Sequence, residues 1–230
     1  MEKDVTILMP CLNEERTIKK CIHSAKIFLK ENNINGEILI VDNGSTDKSI
    51  KIIKKEKVKL VRCKEKGYGN ALRYGIARSK GKYIIMGDSD ASYDFSNLKP
   101  FIKFLDDGYD LVMGNRFKGK IEKGAMPLLN KYVGNPFLSW FSRMLFPCNI
   151  GDFHSGLRSF KKEKIINLNL ESTGMEFASE IVIKCVKNNY KICEIPINLL
   201  NNRIKRKPHL RPFRDGVRHM KLILRLKFKD

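Results

Sequence analysis

The sequence lacks the features that mark several protein classes. Its six cysteines form no C-x-x-C pair, and no His/Cys cluster has the spacing of a zinc site. We therefore expect reduced cysteines, as in a cytoplasmic protein. No apolar run reaches the ~18 residues needed to span a bilayer, and the start of the chain does not read as a signal peptide. We expect any contact with a membrane to be peripheral, at its cytoplasmic (inner) face.

Negative charge is also scarce. The 230 residues carry 45 Lys and Arg against 25 Asp and Glu, a formal net charge of +20. Such an excess favours an anionic partner, either nucleic acid, an anionic membrane surface or a phosphorylated substrate. No helix-turn-helix, RRM or zinc-finger pattern is present, so we do not expect nucleic acid. A basic module that binds nucleic acid or membrane remains the non-enzymatic alternative.

Residues 5–115 alternate between strand and helix signals. Apolar runs at 5–9, 38–41, 58–61, 83–86 and 110–113 predict strands, and segments with helical spacing lie between them. A helix is predicted to open at Asn13, with that residue as its N-cap. This alternation predicts an α/β fold with a mostly parallel sheet covered by helices on both faces.

Two carboxylates follow the fourth strand. Asp88-Ser89-Asp90 ends the apolar run at 83–86, and the period of two places both carboxylates on one side of an extended chain. Hard oxygen ligands suit Mg²⁺ or Mn²⁺, which in turn bind phosphates. Because Asp and Ser are also common turn residues, the pattern alone does not decide between a metal–diphosphate site and a strand-ending turn.

Other polar residues follow the neighbouring strands, at the edge where open α/β sheets bind ligands. The residues concerned are Pro10, Asn13 and Glu14 after the first strand, Asp42 and Asn43 after the second, and Arg116 after the fifth. Arg116 is a candidate phosphate clamp.

The second half is more apolar and then more basic. Residues 127–147 predict an amphipathic helix broken near Gly134-Asn135-Pro136, which either packs on the core or lies on a membrane surface. Two prolines at 208 and 212 argue against a regular helix at 205–215, and the basic run from 219 to 228 is amphipathic. We divide the chain into a catalytic domain at 1–202 and a basic C-terminal extension at 203–230, whose phosphate-binding loop precedes a membrane-surface segment.

Motifs in a fixed order along nearly the whole chain resemble the family 2 glycosyltransferases with a GT-A (Rossmann-like) fold, most of all the polyprenyl-phosphate (dolichyl-phosphate) hexose synthases. The motifs are Met9–Glu15, Val41–Asp47, Gly67–Ala71, Asp88–Asp90, Gly114–Arg116, Asp152–Arg158 and Gly174–Phe177. Asn43 replaces the second Asp of the family's D-D-G-S run. The continuation Ala91-Ser92-Tyr93-Asp94 is more similar to glucosyl- or generic hexosyltransferases than to mannose synthases.

The resemblance implies roles for these residues. Asp88 and Asp90 would hold Mg²⁺ or Mn²⁺ on the diphosphate of a nucleotide sugar, with Asp90 the more direct ligand. The remaining donor-binding residues would be Pro10, Asn13, Glu14, Asp42, Asn43, Gly67, Asn70, Ser89 and Arg116. UDP-glucose is favoured over GDP-mannose as the donor.

The second substrate of the predicted reaction is the acceptor of the sugar. A phosphate monoester is mostly dianionic at pH 7 and needs cations more than a base, and the expected acceptor and phosphate contacts are Ser155, Arg158, Glu176, Arg203, Lys205, Arg206 and Lys207. A saccharide hydroxyl would need a general base, for which Asp152 is the first candidate. We expect inverting hexose transfer to a polyprenyl phosphate at an anionic membrane surface, with Asp90, Asp152 and Arg158 as candidate catalytic residues. A saccharide-hydroxyl acceptor, a membrane-protein partner and a homo-oligomer remain open.

Overall fold

A computed structural model describes residues 3–202 and 212–228. Its seven strands form one sheet in the order β3-β2-β1-β4-β6-β5-β7. The strands are β1 Lys3–Cys11, β2 Gly36–Asp42, β3 Lys59–Arg62, β4 Gly81–Met86, β5 Leu111–Asn115, β6 Arg158–Lys161 and β7 Ile192–Pro196. All neighbouring strands pair in parallel except that β6 runs antiparallel to both β4 and β5. The predicted α/β fold with a mostly parallel sheet is confirmed.

Helices cover both faces of this sheet. They are α1 Ile18–Glu31, α2 Ser49–Lys55, α3 Tyr68–Arg78, α4 Lys99–Asp106, α5 Asn135–Leu145, α6 Lys162–Ile166, α7 Phe177–Lys187 and α8 Pro212–Phe228. One apolar core lies between the sheet and α1, α2 and α4. The other lies between the sheet and α3, α5, α6, α7 and α8. Because both faces are covered, β1, β2, β4 and β5 are almost wholly buried.

Three local predictions are wrong. Helix α1 begins at Ile18 and not at Asn13, because Asn13 takes a left-handed backbone conformation with φ of 57°. The predicted break at 134–136 is absent. A π-helical turn at Asn130–Gly134 leads straight into α5, and Pro136 is the second residue of α5, directly after this turn of wider hydrogen-bond spacing.

The third correction concerns the basic tail. Residues 212–215 are helical, because Pro212 is the first residue of α8, a position whose N–H has no partner within the helix. His219 is also buried on α8, and Leu222, Ile223 and Leu226 belong to the core that α7 shares. Within residues 3–202 and 212–228, no helix is both long and apolar enough to cross a membrane.

Candidate active site

The sheet places the first candidate residues at a topological switch point. From β1 the chain continues to β2 on one side, whereas β4 pairs with β1 on the other. The loops after β1 and β4 therefore diverge at their carboxyl ends and open a crevice, which is where ligands bind in open α/β sheets. Pro10 is the next-to-last residue of β1, and Asp88 and Asp90 follow β4.

Asp88 is half-buried and closely surrounded. Its Oδ1 accepts a 2.8 Å hydrogen bond from the hydroxyl of Tyr68, at the start of α3. Burial, together with the nearby Asp90 carboxylate, raises the pKa of Asp88 to about 6, although the Tyr68 bond and Arg158 oppose the shift. On its other side, a Cβ at Gly156 would lie 2.2 Å from Asp88 Oδ2, so only glycine fits there.

Asp90 and Ser89 are fixed by bonds to the backbone. Asp90 Oδ1 accepts from the N–H of Ser92 at 2.9 Å, and its carbonyl accepts from the side-chain amide of Asn202 at 2.9 Å. Ser89 is buried, and its hydroxyl donates to the carbonyl of Pro10 at 2.6 Å. The hydrogen bond between Ser89 and Pro10 thus attaches the segment that carries both carboxylates to the end of β1. The Ser89 hydroxyl and the Pro10 carbonyl bond to each other within the protein.

The two carboxylates fit a divalent cation that is shared with a diphosphate. Across the described part of the chain, no group of three or more His, Cys, Asp or Glu side chains is arranged to hold a metal alone. Mg²⁺ is commonly held by one or two carboxylates, with substrate phosphates completing its shell. The pair also suits a cation chemically, because burial and repulsion by Asp90 both raise the pKa of Asp88, and a bound cation would offset both effects.

The loops after β1 and β2 are bound to each other. Asn13 Oδ1 accepts from the N–H of Thr46 at 2.8 Å, and the N–H of Asn13 donates to Ser45 Oγ at 3.0 Å. Asp42 is buried and accepts from the N–H of Ser45 at 3.1 Å, which closes its own turn. Asn13 therefore bridges two loops rather than capping a helix, and Asp42 shapes the wall of the crevice.

Glu14 belongs to the same wall. Its carbonyl accepts from the N–H of Ile18 at 2.9 Å, its own N–H donates to Ser49 Oγ at 2.8 Å, and its carboxylate accepts from the Thr17 hydroxyl at 2.9 Å. The start of α1 is thus attached to the start of α2.

Asn43 joins the second loop to the third. Its amide nitrogen donates to the carbonyls of Cys63 at 3.3 Å and Glu65 at 2.8 Å, and its oxygen accepts from the N–H of Gly67 at 2.8 Å. A carboxylate has no hydrogen to donate to those carbonyls. The Asn that departs from the family pattern is therefore suited to this buried position.

Gly67 opens α3 at a close contact between loops. Its φ is +135°, and an added Cβ would lie 2.1 Å from the carbonyl oxygen of Thr173. Asn70 also contacts this loop, because its backbone N–H donates to the Thr173 carbonyl at 3.3 Å. Its side-chain amide donates to the Lys66 carbonyl at 3.1 Å. The Gly67 turn in this way fixes Tyr68, and through it Asp88.

Arg116 and Asp152 form a buried ion pair with each other. Arg116 Nε lies 2.7 Å from Asp152 Oδ2, and Nη2 lies 2.8 Å from Oδ1. The Arg116 N–H also donates to Oδ2, at 3.1 Å. Burial lowers the pKa of Arg116, but Tyr93 and Asp152 together raise it above its ordinary value. Arg116 was the candidate phosphate clamp, and Asp152 the candidate base for a hydroxyl acceptor; the structure pairs the two side chains, with Asp152 at 0% exposure.

Arg158 and Ser155 are likewise enclosed. We expected Arg158 to be a catalytic residue that contacts the acceptor phosphate; the structure leaves it 1% exposed, and its guanidinium donates to the carbonyls of Ser155, Ala178 and Phe153. Burial lowers the pKa of Arg158, and the nearby Tyr68, Tyr93 and Asp152 oppose that shift. The Ser155 hydroxyl lies 3.5 Å from the Leu157 carbonyl. Arg158 is thus a fixed positive charge behind Asp88 and Asp152.

Glu176 precedes α7 and connects it to α8. Its Oε1 accepts from the N–H of Gly174 at 3.0 Å and forms an ion pair with Arg218 at 2.5 Å. Burial raises the pKa of Glu176, but hydrogen bonds to backbone N–H groups and to Arg218 lower it overall. The other predicted acceptor contacts, Arg203, Lys205, Arg206 and Lys207, lie outside the described residues.

Sequence reasoning missed three side chains that shape the site. Tyr68 holds Asp88, and the Tyr93 hydroxyl accepts from the N–H of Gly156 at 2.9 Å. Glu194 on β7 accepts from the N–H groups of Gly151 at 2.7 Å and Asp152 at 2.8 Å. Tyr68 and Tyr93 stand inside or beside motifs and could have been questioned as buried polar groups, whereas nothing in the sequence around Glu194 signals its role.

Comparison with known proteins decides the family. The family model described as "Glycosyl transferase family 2" matches residues 6–168. The chain belongs to this family. The low-salt glycan biosynthesis hexosyltransferase Agl6 of Haloferax volcanii is 36% identical over 96% of the chain, which spans only 53% of that protein. The activity, substrates and partners of the whole protein are therefore proposals.

Two further comparisons extend this result. A dolichyl-phosphate hexose transferase of Haloferax volcanii is 28% identical, over 84% of the chain and 82% of that protein. A crystal structure of glucosyl-3-phosphoglycerate synthase from Mycobacterium tuberculosis, in complex with Mn²⁺, UDP and glucosyl-3-phosphoglycerate, matches with a TM-score of 0.73. It covers 98% of this chain and 80% of that chain at 18% identity, so it shows the shared fold.

Proposed function

We propose that this chain transfers a hexose from a nucleoside diphosphate sugar to a polyprenyl (dolichyl) phosphate, with inversion at the anomeric carbon. The acceptor phosphate oxygen forms the new bond to that carbon, and the bond to the diphosphate breaks as the nucleoside diphosphate leaves. UDP-glucose is the first donor to test. The similarity to a dolichyl-phosphate hexose transferase supports the acceptor class.

In this proposal the crevice between β1 and β4 binds the donor. Asp90 and Asp88 would hold Mg²⁺ or Mn²⁺, which when bound would offset the charge that develops on the leaving diphosphate. The loops that carry Asn13, Asp42 and Asn43 are fixed to one another by hydrogen bonds. They would shape the nucleotide pocket without reorganising when the donor binds.

The observation that carries the choice of a phosphate acceptor is the environment of Asp152. Both of its oxygens accept hydrogen bonds from Arg116, and it is fully buried. An acceptor hydroxyl would need a base within hydrogen-bond reach, and Asp152 meets no solvent from which a hydroxyl could approach. A dianionic phosphate acceptor needs no base. The alternative, transfer to a saccharide hydroxyl, would require this pair to open.

The test is sugar transfer from UDP- and GDP-sugars, with Mg²⁺ or Mn²⁺, to polyprenyl phosphate dispersed in detergent. We expect labelled sugar in the organic phase only when the lipid phosphate is added, and no turnover by Asp90→Ala that keeps the wild-type melting temperature. Transfer only into aqueous saccharide would contradict the acceptor. Near-normal turnover by Asp90→Ala would contradict the role of that carboxylate.

A further inference from the structure

The helical segment from Leu128 to Met144 leaves a stripe of large apolar side chains uncovered. The exposed fraction is 72% for Leu128 and 52% for Trp140, the single tryptophan of the chain. We call this the α5 stripe, although it begins in the helical turns that lead into α5; its members are Leu128, Leu129, Tyr132, Val133, Phe137, Trp140 and Met144. Ser139 and Ser142, on the opposite side of the same helix, are buried. Soluble proteins rarely expose so many contiguous apolar side chains without a partner.

Helix α8 carries a second stripe. At 100° per residue, Phe213, Val217, Leu224 and Phe228 fall within about 60° of one another around the helix, and all four are exposed, Phe213 by 85%. The residues buried in the core, His219, Leu222, Ile223 and Leu226, lie on the opposite side. The α8 stripe therefore faces away from the protein although its helix is anchored in it.

Basic residues line one flank of the α8 stripe. Arg214, Arg218, Lys221 and Arg225 fall within about 60° of one another on the helix, between the apolar stripe and the core face. No Asp or Glu occurs from Lys123 to Gly151, a segment that includes α5. Together the segments 123–151 and 212–228 hold eight Lys and Arg against Asp215 alone.

The two stripes belong to neighbouring helices. Lys227 of α8 donates to the Leu145 carbonyl of α5 at 3.2 Å, and its ammonium lies 5.7 Å from the centre of the Phe146 ring. Leu145 and Phe141 pack against the core that includes Leu222 and Leu226. We call the α5 stripe, the α8 stripe and the basic flank together the two-helix surface.

We propose that the two-helix surface lies in the headgroup region of an anionic lipid bilayer. Apolar and aromatic side chains flanked by Lys and Arg are what an interfacial helix presents, with the apolar face among the acyl chains and the cations among anionic headgroups. A second copy of this chain, in contrast, would place like charges opposite each other at such a surface.

With the two-helix surface in the headgroup region, the bilayer would lie next to the candidate active site. Helix α5 holds the loop before β6, because Arg143 donates to the Ile150 carbonyl at 3.0 Å and Ser139 Oγ accepts from the N–H of Phe153 at 3.4 Å. Arg218 on the basic flank bonds Glu176. This inference rests on the proposed function at one point: a lipid phosphate acceptor would reach the candidate active site from this bilayer.

The test uses Trp140 as its own reporter. Wild-type protein is mixed with vesicles of neutral phosphatidylcholine, with or without anionic phosphatidylglycerol, and with acyl chains brominated for quenching. We expect Trp140 emission to shift to shorter wavelength and to be quenched by brominated chains, with binding that requires anionic lipid and weakens with salt. Absence of both signals at excess lipid would overturn the proposal.

Paired variants test whether vesicle binding depends on the two-helix surface or on exposed apolar and basic residues in general. Leu128→Ser with Val133→Ser should weaken binding by roughly tenfold or more. Ile166→Ser, at an exposed apolar site on α6 outside the two-helix surface, should not. Lys221→Glu with Arg225→Glu should weaken binding to anionic vesicles. The same charge change at Lys51 and Lys54, exposed on α2 across the sheet, should have a much smaller effect. Equal losses in both members of either comparison would overturn the proposal.

Sedimentation of the lipid-free protein tests whether a second copy of the chain, and not a bilayer, covers the two-helix surface. A monomer is expected, and a dimer that Leu128→Ser with Val133→Ser dissociates would show that a second copy covers the surface. These vesicles contain neither polyprenyl phosphate nor donor, so the result is independent of the transfer assay in detergent. Membrane binding without transfer would contradict only the proposed function, and transfer without membrane binding only this inference.

Discussion

Separating Arg116 from Asp152 should destabilise the protein strongly. The side chain of Asp152 is fully buried and that of Arg116 is 10% exposed, and two hydrogen bonds of 2.7 and 2.8 Å join them. Removing one member of a buried pair leaves an uncompensated charge, which typically costs about 3–5 kcal/mol. In Asp152→Asn the charge that loses its partner is Arg116, and in Arg116→Met it is Asp152.

The assay is a double-mutant cycle in urea. Each single variant should lose about 3–5 kcal/mol of unfolding free energy, which for a chain of this size lowers the melting temperature by roughly 10 °C or more. The double variant Asp152→Asn with Arg116→Met has no charge left unpaired by the change. It should therefore lose clearly less than the sum of the two, with a coupling energy of at least about 2 kcal/mol.

Two results would refute this reasoning. Losses that add to within about 0.5 kcal/mol would show that the two side chains act independently. An Asp152→Asn variant with wild-type stability and no turnover would show that the carboxylate acts in the reaction, as a base would.

Three other changes test separate parts of the site. Gly156→Ala should abolish metal-dependent UDP binding measured by calorimetry, because the new methyl group would lie 2.2 Å from Asp88 Oδ2. The control is Gly216→Ala, where an added Cβ meets nothing within 4 Å. Retained binding by Gly156→Ala would contradict the predicted role of Asp88. Asn43→Asp should cost about 1–3 kcal/mol in urea, since it leaves the carbonyls of Cys63 and Glu65 without their donor; an unchanged midpoint would be inconsistent with this network. Burial lowers the pKa of His219 to about 4, so the unfolded chain takes up the proton first as pH falls below about 6.5, and stability should decline between about pH 6.5 and 4. His219→Asn should make that decline shallower by up to about 1.4 kcal/mol per pH unit; parallel curves for the two proteins would refute the assignment.

The sequence predicts the parts of this molecule that depend on periodicity. Apolar runs followed by polar residues place β1, β2, β4 and β5 and their carboxyl ends, because strand burial and ligand-binding edges follow general rules. The D-x-D carboxylates at Asp88 and Asp90 were placed at the carboxyl-end edge of the sheet in the same way, whereas the pairing of β4 with β1 came only from the structure. Helix ends were predicted less well, since the start of α1 depends on the left-handed conformation of Asn13 and the loop bonds it makes.

Pairing between distant loops could not be read from the sequence. Arg116 and Asp152 are 36 residues apart, and Tyr68 and Asp88 are 20 apart. Side-chain period says which face a residue occupies, but not which carboxylate a buried Arg meets when two loops come together. For that reason Asp152 and Arg158 looked like reactive groups in the sequence, and the structure shows them satisfied by protein partners.

The family motifs of this chain therefore divide by accessibility. Asp88 and Asp90 are only half-buried at the switch point, where a diphosphate could reach them. Asp42, Asn43, Ser89, Ser155 and Arg158 are buried and bonded within the protein. Arg116, in its ion pair with Asp152, and Arg158 place two fixed positive charges near Asp88. In the proposed transfer these charges are already oriented and would need no reorganisation as the leaving diphosphate gains charge. Substitutions in the buried group should consequently lower stability before they change turnover, whereas Asp90→Ala should lower turnover alone.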